Sequence, residues 1–341
     1  MTSVKEFRIE EPATAEELGH GVFEFTDDYS VFDWGKMPDP IPDKGASLCT
    51  MGAFNFELLA NESIRTHYRG VLPADGGKPV GLDVVDEPPT EMAIALSQRP
   101  DLPREGTDYD YDVYHEAAGE NYVVPLEIVF RNSVPIGSSL RSRTDPADHG
   151  LDFETWPDEP VDLDDPIVEF STKYEESDRY LDRTEADAIA GKAPIEDLDG
   201  LAREVNDLVT RWAATQGFAH EDGKIEVVYH QGNLLVADVV GTFDENRFAY
   251  DGQQLSKEVL RQYHKRTQPK WVEAVDVAKT EAKAQGVADW KGLCDAAPAP
   301  LDDDVLQVAR DMYAAGANAY VGEQFFDAPS IEDAVAAIRD L

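Results

Sequence analysis

Hydrophobic spacing along the chain changes period several times, and those changes predict the elements. Val22–Thr26 and Tyr29–Trp34 carry β-branched and aromatic residues around a polar Asp27-Asp28 pair, which predicts a hairpin. Leu48–Leu59 has apolar residues at helical spacing without proline and predicts a helix. Residues 70–120 hold Pro and Gly clusters and an acidic GTDYDYD run, the pattern of loops and solvated turns. YVVPLEIVFR, from Tyr122, predicts a strand with a proline near its start, followed by the irregular NSVPIGSSL. Residues 144–168 are acidic and Pro-rich and predict a long surface excursion.

Asp197–Gln216 reads as an amphipathic helix stopped by Gly217. KIEVVY and LLVADVV then flank HQGN, a hairpin signal. Helices are expected over Ser256–Lys265, Lys270–Gln285, Asp302–Ala315 and Ile331–Leu341. Strands in hairpins with helices set apart predict an α+β fold, not alternating βαβ units. The expected division is a β-rich N-terminal unit at 1–120, an α+β unit with an antiparallel sheet at 121–298, and a helical C-terminal extension at 299–341.

Charge narrows the function classes. The 341 residues include 30 Lys plus Arg against 69 Asp plus Glu, a formal charge of −39. Acidity spread over the whole chain, with 42% hydrophobic residues, describes a folded protein with an acidic surface. Such a surface repels duplex nucleic acid and anionic lipid. No run of 18 apolar residues exists to span a membrane, and MTSVKEFRIEEP has no apolar segment of a signal peptide. Two distant cysteines, Cys49 and Cys294, fit a reducing cytoplasm. Acidic, Lys-poor and core-rich composition suits a halophilic protein working in molar salt.

Common catalytic motifs are missing. Gly70–Lys78 has the wrong spacing for a phosphate loop, Gly19-His20-Gly21 lacks a dinucleotide fingerprint, and HExxH, CxxC and GxSxG are absent. The informative stretch is 222–247. Asp222, Lys224 and Glu226 alternate along a predicted strand and so share a face. Asp238 follows on the expected partner strand, where it and Glu226 could share a hard cation such as Mg²⁺, or form a merely charged face. Arg131, ending an apolar strand, stands near Gly137, Ser138, Ser139, Arg141 and Arg143, a set that suits a phosphate group or a structural ion pair. Arg247, Arg261 and Lys173 are further candidates with the same two readings.

Taken in order, FTDDYSVFD, IPDKGAS, FNFELL, RTHYRGV, PLEIVFRN…GSSLRSR, EFSTK, DGKIE, DVVGTFDENR and LSKEVLR resemble the motifs of the SAICAR synthetase family. The matches run over roughly residues 20–320 and are far more specific jointly than singly. The resemblance implies ATP-dependent joining of L-aspartate to the carboxylate of carboxyaminoimidazole ribotide, in de novo purine synthesis. Carried over, the family's Mg²⁺ ligands fall on Glu226 and Asp238. Its ribotide positions fall on Arg131, Ser139 or Ser138, Asp244 and Arg261, and Asp222, Lys224 and Arg247 fall at the reacting centre. ATP contacts fall on Lys173 and Glu127. The family's basic nucleotide loop is matched by LGHGVFEF, which has no cation, so the expected ATP contacts there are either backbone amides alone, at Gly19 and Gly21, or another residue that supplies the charge. An acidic residue after Asp238 is replaced by Val239, and the Asp238–Arg247 segment is one residue longer than the family's usual spacing. A kinase-like enzyme and a non-catalytic nucleotide binder remain alternatives. The partners expected are small molecules, with a homo-oligomer left open.

Overall fold

Apart from the short ribbon of Arg104–Glu105 with Asp108–Tyr109, the strands lie in two antiparallel sheets, and a three-residue segment hydrogen-bonds the two sheets together. The structure is a computed structural model that describes residues 5–106, 108–176, 178–287 and 289–341. The smaller sheet runs Lys5–Glu11, Gly19–Phe25, Glu91–Leu96, Tyr68–Val71 in spatial order. The larger runs Tyr180–Leu181, Val161–Thr172, Leu126–Val134, Phe218–His230, Asn246–Tyr250, Gln253–Leu255. Asn121–Val123 and Asn233–Ala237 flank the far end of Phe218–His230. The α+β class read from the sequence is the class observed.

Residues 65–67 join the sheets. Val236 N donates to Arg65 O at 2.9 Å, His67 N to Val236 O at 3.0 Å, and Ala95 N to His67 O at 2.7 Å. One apolar core then extends from Phe23 and Phe56 beneath the small sheet to Val236, Phe243 and Tyr320 beneath the large one. Helix Ile195–Thr215 covers the large sheet because Leu198, Ala202, Val205, Val209 and Ala213 recur at helical spacing and are all buried.

Several local expectations are corrected. The segment after Thr26 is not a second hairpin strand: Phe32 and Asp33 have φ of 56° and 58°, left-handed values that end extended backbone. Its apolar residues Tyr29, Val31, Met37 and Ile41 are buried in an irregular loop. The strand Gly19–Phe25 pairs instead with Lys5–Glu11 and Glu91–Leu96. Pro125, which has no N–H to give a ladder, splits the next predicted strand into Asn121–Val123 and Leu126–Val134. The acidic excursion ends early, because Val161–Thr172 pairs along Leu126–Val134. The penultimate helix is longer than its pattern, reaching Val321.

The HQGN turn forms as its chemistry demands. His230 pairs with Asn233, and the central Gln231 and Gly232 both have positive φ, 48° and 78°.

Buried histidines give the fold an acid sensitivity. His220 Nε2 accepts from Asn246 Nδ2 at 2.8 Å, and burial, against the pull of Asp222, lowers its pKa to about 4. Burial also lowers His264 to about 4 against Asp39. An unfolded histidine titrates near 6.5, so the unfolded chain binds more protons between about pH 4 and 6.5, and stability falls as pH drops through that window. At about 1.4 kcal/mol per unit, His220 alone accounts for roughly 3 kcal/mol. Urea midpoints at constant KCl are expected to fall progressively from pH 7 to pH 5; equal midpoints would refute this.

Candidate active site

Strand register places three charged side chains in a row. Asp222 on Phe218–His230 is the cross-strand partner of Arg131 on one side and Arg247 on the other. Arg131 Nη1 reaches Asp222 Oδ2 at 3.1 Å, and Arg247 Nε reaches Asp222 Oδ1 at 2.7 Å. Both carboxylate oxygens therefore orient guanidinium groups. Arg131 also donates through Nε to Glu169 Oε2 at 2.7 Å. Arg143 meets Glu169 at 2.8 Å and lies over the Tyr180 ring, 3.4 Å from its centroid.

Arg131, Tyr180, Asp222 and Arg247 line a cleft of about 740 Å³. The row of arginines forms one wall with Lys224, and the Gly137–Ser139 turn closes an end. Asp244 and Glu245 come from the loop after Asp238, Asn246 from the start of strand Asn246–Tyr250, and Lys257 and Arg261 from the start of helix Glu258–Thr267. Ser30, Asp33 and Gly35, from the irregular loop of the N-terminal part, face them. Arg131, Ser138, Ser139, Asp222, Lys224, Asp244, Arg247 and Arg261, scattered over 130 positions of sequence, thus line one cavity. Ser138 is buried and its Oγ accepts from Leu140 N at 3.3 Å, whereas Ser139 is exposed, which leaves the Ser139 hydroxyl available to a ligand.

A second cluster adjoins the first through Lys224. Glu226 pairs across the hairpin with Ala237, so Asp238, the next residue, lies just past the strand end. Asp238 has a left-handed φ of 63°. Lys173 ion-pairs with Glu226, and Lys224 with Glu127. Lys224 also lies 3.4 Å from Glu245 and 3.9 Å from Glu226. Burial and the neighbouring Asp238 raise the Glu226 pKa, against Lys173 and Lys224. Asp238 is held well below the usual carboxylate range; burial opposes this, but Lys5, Lys173 and Lys224 outweigh it. For Lys224, burial is outweighed by Glu245, Glu127 and Glu226, and the ammonium is held charged.

LGHGVFEF has no cation, but the strand paired with it carries a buried one. Lys5, on the first strand, is buried and ion-pairs with Asp238. That segment of sequence is no loop: Gly21 sits inside a strand bonded on both sides, and Gly19 begins that strand, paired with Leu96. A Cβ on Gly19 would meet Glu11 O at 2.2 Å, and one on Gly21 would meet Leu96 Cδ1 at 2.7 Å. Close backbone packing explains both glycines. Lys5 was hidden because nothing local distinguishes it from any strand lysine; only the pairing of Lys5–Glu11 with Gly19–Phe25 aims it at Asp238.

Comparison with known proteins shows the family. The family profile described as SAICAR synthetase matches residues 13–278. The chain belongs to the SAICAR synthetase family. A protein of Archaeoglobus fulgidus, provisionally named phosphoribosylaminoimidazole-succinocarboxamide synthase, is 41% identical over 350 residues, covering 100% of this chain and 99% of its own length. A SAICAR synthase from Saccharomyces cerevisiae, solved with SAICAR, aligns over 95% of this chain and 94% of its own at 18% identity with a TM-score of 0.61. A SAICAR synthetase in complex with ADP aligns over 76% of this chain and 88% of its own at 24% identity with a TM-score of 0.54. At those identities the solved structures speak to the fold, which is that of the SAICAR synthetases.

Sequence reasoning passed over Glu169, Glu245, Lys257 and Lys44 as well as Lys5. Lys257 stands beside Ser256 in the LSKEVLR motif, so that motif contained a signal for it. Lys44, in the IPDKGAS motif, is fully buried and bonds Asp244 Oδ2 at 2.8 Å.

Proposed function

We propose that the cleft joins the amine of L-aspartate to the carboxylate of carboxyaminoimidazole ribotide, with ATP converted to ADP and phosphate. The observation that carries the reading is the convergence of Arg131, Ser139, Lys224, Arg247 and Arg261 on one cavity of a chain with a net charge of −39. With Lys257 these cations balance the five carboxylates of the same lining, Asp33, Asp222, Asp244, Glu245 and Glu258, whereas the chain as a whole is strongly acidic, and guanidinium groups with a hydroxyl suit a phosphate ester. The ADP and SAICAR named for the two solved relatives support the same pairing of ligands.

A carboxylate is a poor electrophile. In the proposed reaction the γ-phosphoryl group of ATP passes to the ribotide carboxylate, breaking the bond to the bridging oxygen of ADP. The aspartate amine then attacks the acyl carbon and phosphate leaves with the carboxylate oxygen it gained, the amine losing a proton. Lys224, set between the two clusters and held charged, is positioned to neutralise the transferring group. Lys5 and Lys173 balance the nucleotide phosphates. Phe7 lies on the same strand face as Lys5, its ring 4.8 Å from Phe23, and is 57% exposed, an apolar surface open to a base.

Glu226 and Asp238 fit Mg²⁺: both are buried carboxylates from one hairpin, and after burial Asp238 raises the pKa of Glu226, against Lys173 and Lys224. Among the described residues no group of three or more acidic, His or Cys side chains is placed to hold a metal ion, so an ion on these two carboxylates would take its other ligands from water and phosphate. When bound, Mg²⁺ would neutralise charge on the nucleotide phosphates. Among the described residues no helix is long and apolar enough to cross a membrane. A cytoplasmic, high-salt setting belongs to the same proposal.

The test is ATP- and aspartate-dependent succinocarboxamide formation at high KCl. Lys5→Met is expected to raise the ATP KM about tenfold or more, the scale of one lost charge contact, with the ribotide KM within twofold. ATP turnover indifferent to aspartate would replace the proposal by a kinase-like activity, and binding without turnover by a non-catalytic role. An unchanged ATP KM in the variant would remove Lys5 from the nucleotide site.

A further inference from the structure

Helix Asp303–Val321 lies wholly beyond the segment matched by the family profile, which ends at residue 278. One of its faces nevertheless lies against the loop that builds the cleft. Tyr313 Oη donates to Asp244 Oδ1 at 2.7 Å, while Lys44 Nζ donates to Asp244 Oδ2 at 2.8 Å and lies 5.3 Å from the Tyr313 ring centroid. One turn on, Gly316 backs onto Phe243, where a Cβ would come within 2.4 Å of the Phe243 ring. A further turn on, Tyr320 Oη donates to Asn55 Oδ1 at 2.8 Å, and Asn55 Nδ2 donates to Gly241 O at 3.1 Å. Arg310, one turn before Tyr313, meets Asp43 at 2.6 Å, beside Lys44. Residues 310, 313, 316 and 320 form a single helical stripe.

Asp244 and Phe243 line the cleft, and Tyr313 and Lys44 are fully buried behind them. A carboxylate held by one donor on each oxygen keeps a fixed plane, and its remaining lone pairs point in fixed directions. Neither Lys44 nor Tyr313 lines the cleft. We infer that Tyr313 is a positioning residue for the ribotide: through its hydroxyl it orients Asp244, so the C-terminal helix is a working part of the substrate cleft and not an appendage. The ligand class is the sugar of the phosphate ester, whose hydroxyl groups are the donors a fixed carboxylate accepts. The inference rests on the proposed function for the identity of that ligand.

Tyr313→Phe keeps the ring against Phe243 and Lys44 and removes only the hydroxyl. Ribotide binding, measured by calorimetry on the full chain at high KCl, is expected to weaken about tenfold, the scale of one hydrogen bond to a charged group. The ATP KM and kcat should stay within twofold. Because the Tyr313 hydroxyl, after Lys44 and Lys257, helps hold the Asp244 pKa down against burial, the acid limb of kcat/KM should move to higher pH in the variant. A double-mutant cycle supplies the second arm: Asp244→Asn should weaken ribotide binding, and adding Tyr313→Phe to it should cost less than a further twofold. Unchanged ribotide binding in Tyr313→Phe, or fully additive losses in the cycle, overturns the inference. Wild-type protein that binds no ribotide overturns both this and the proposed function; wild-type protein that binds it without forming product overturns the proposed reaction alone.

Discussion

Glu226→Gln and Asp238→Asn are each expected to lower kcat by about a thousandfold or more, the scale of removing several kcal/mol of charge stabilisation from phosphoryl transfer. Both substitutions keep the size and a hydrogen-bond acceptor, so Lys173 and Lys5 retain a partner while the charge that would hold Mg²⁺ is gone. Asparagine is the right choice at 238 for a backbone reason. Asp238 has φ 63°, a left-handed value that asparagine tolerates and alanine does not, so Asp238→Ala would mix strain with lost chemistry. Melting midpoints within a few degrees of wild type establish that the fold persists. The Mg²⁺ concentration for half-maximal rate should rise in both variants. Near-normal turnover in either would remove that residue from the metal proposal.

The two carboxylates were legible for reasons that are local. Alternation along DGKIE puts Asp222, Lys224 and Glu226 on one face, and HQGN returns the chain so that Asp238 arrives beside Glu226. Period-2 patterning and turn chemistry are properties of a few consecutive residues, and sequence expresses them directly. The same holds for the helix Lys44–Asn61, whose spacing was visible from Leu48 onward. Motif order, through the resemblance, added Arg131, Arg247 and Arg261, which no local rule would have put in one cavity.

What stayed hidden depends on contacts between distant segments. Lys5 and Asp238 are separated by 233 positions, and Tyr313 and Asp244 by 69. Apolar residues in Tyr29–Trp34 looked like strand because a buried loop needs the same side chains as a buried strand; only the positive φ at Phe32 and Asp33 separates the cases. Gly19 and Gly21 looked like a ligand loop because tight backbone packing and ligand approach both favour glycine. In each case the residue type was informative, and the partner that gives it meaning lay elsewhere in the chain.

Lowering KCl from about 3 M to about 0.1 M is expected to reduce the melting midpoint by roughly 15 °C, because the screening length grows from a few ångströms to about 10 Å. With 69 acidic against 30 basic residues, most carboxylates have no cation to pair with, and their repulsion acts between neighbours that only short screening lengths separate. Several of the 30 cations are held in buried or half-buried ion pairs, Lys5 with Asp238, Lys173 with Glu226 and Arg131 with Asp222 among them. Buried pairs such as Lys44–Asp244 are little affected by bulk ions, so the loss should come from the surface and not from the cleft. Reversing exposed charges separates the two origins. Glu154→Lys with Asp158→Lys, on the exposed acidic segment before Val161, should raise the low-salt midpoint by several degrees and flatten its dependence on KCl. Turnover at high KCl should stay within twofold of wild type, since neither residue lines the cleft. A midpoint that ignores salt in wild type, or a salt slope unchanged by the double reversal, would show that surface repulsion does not set the stability of this chain.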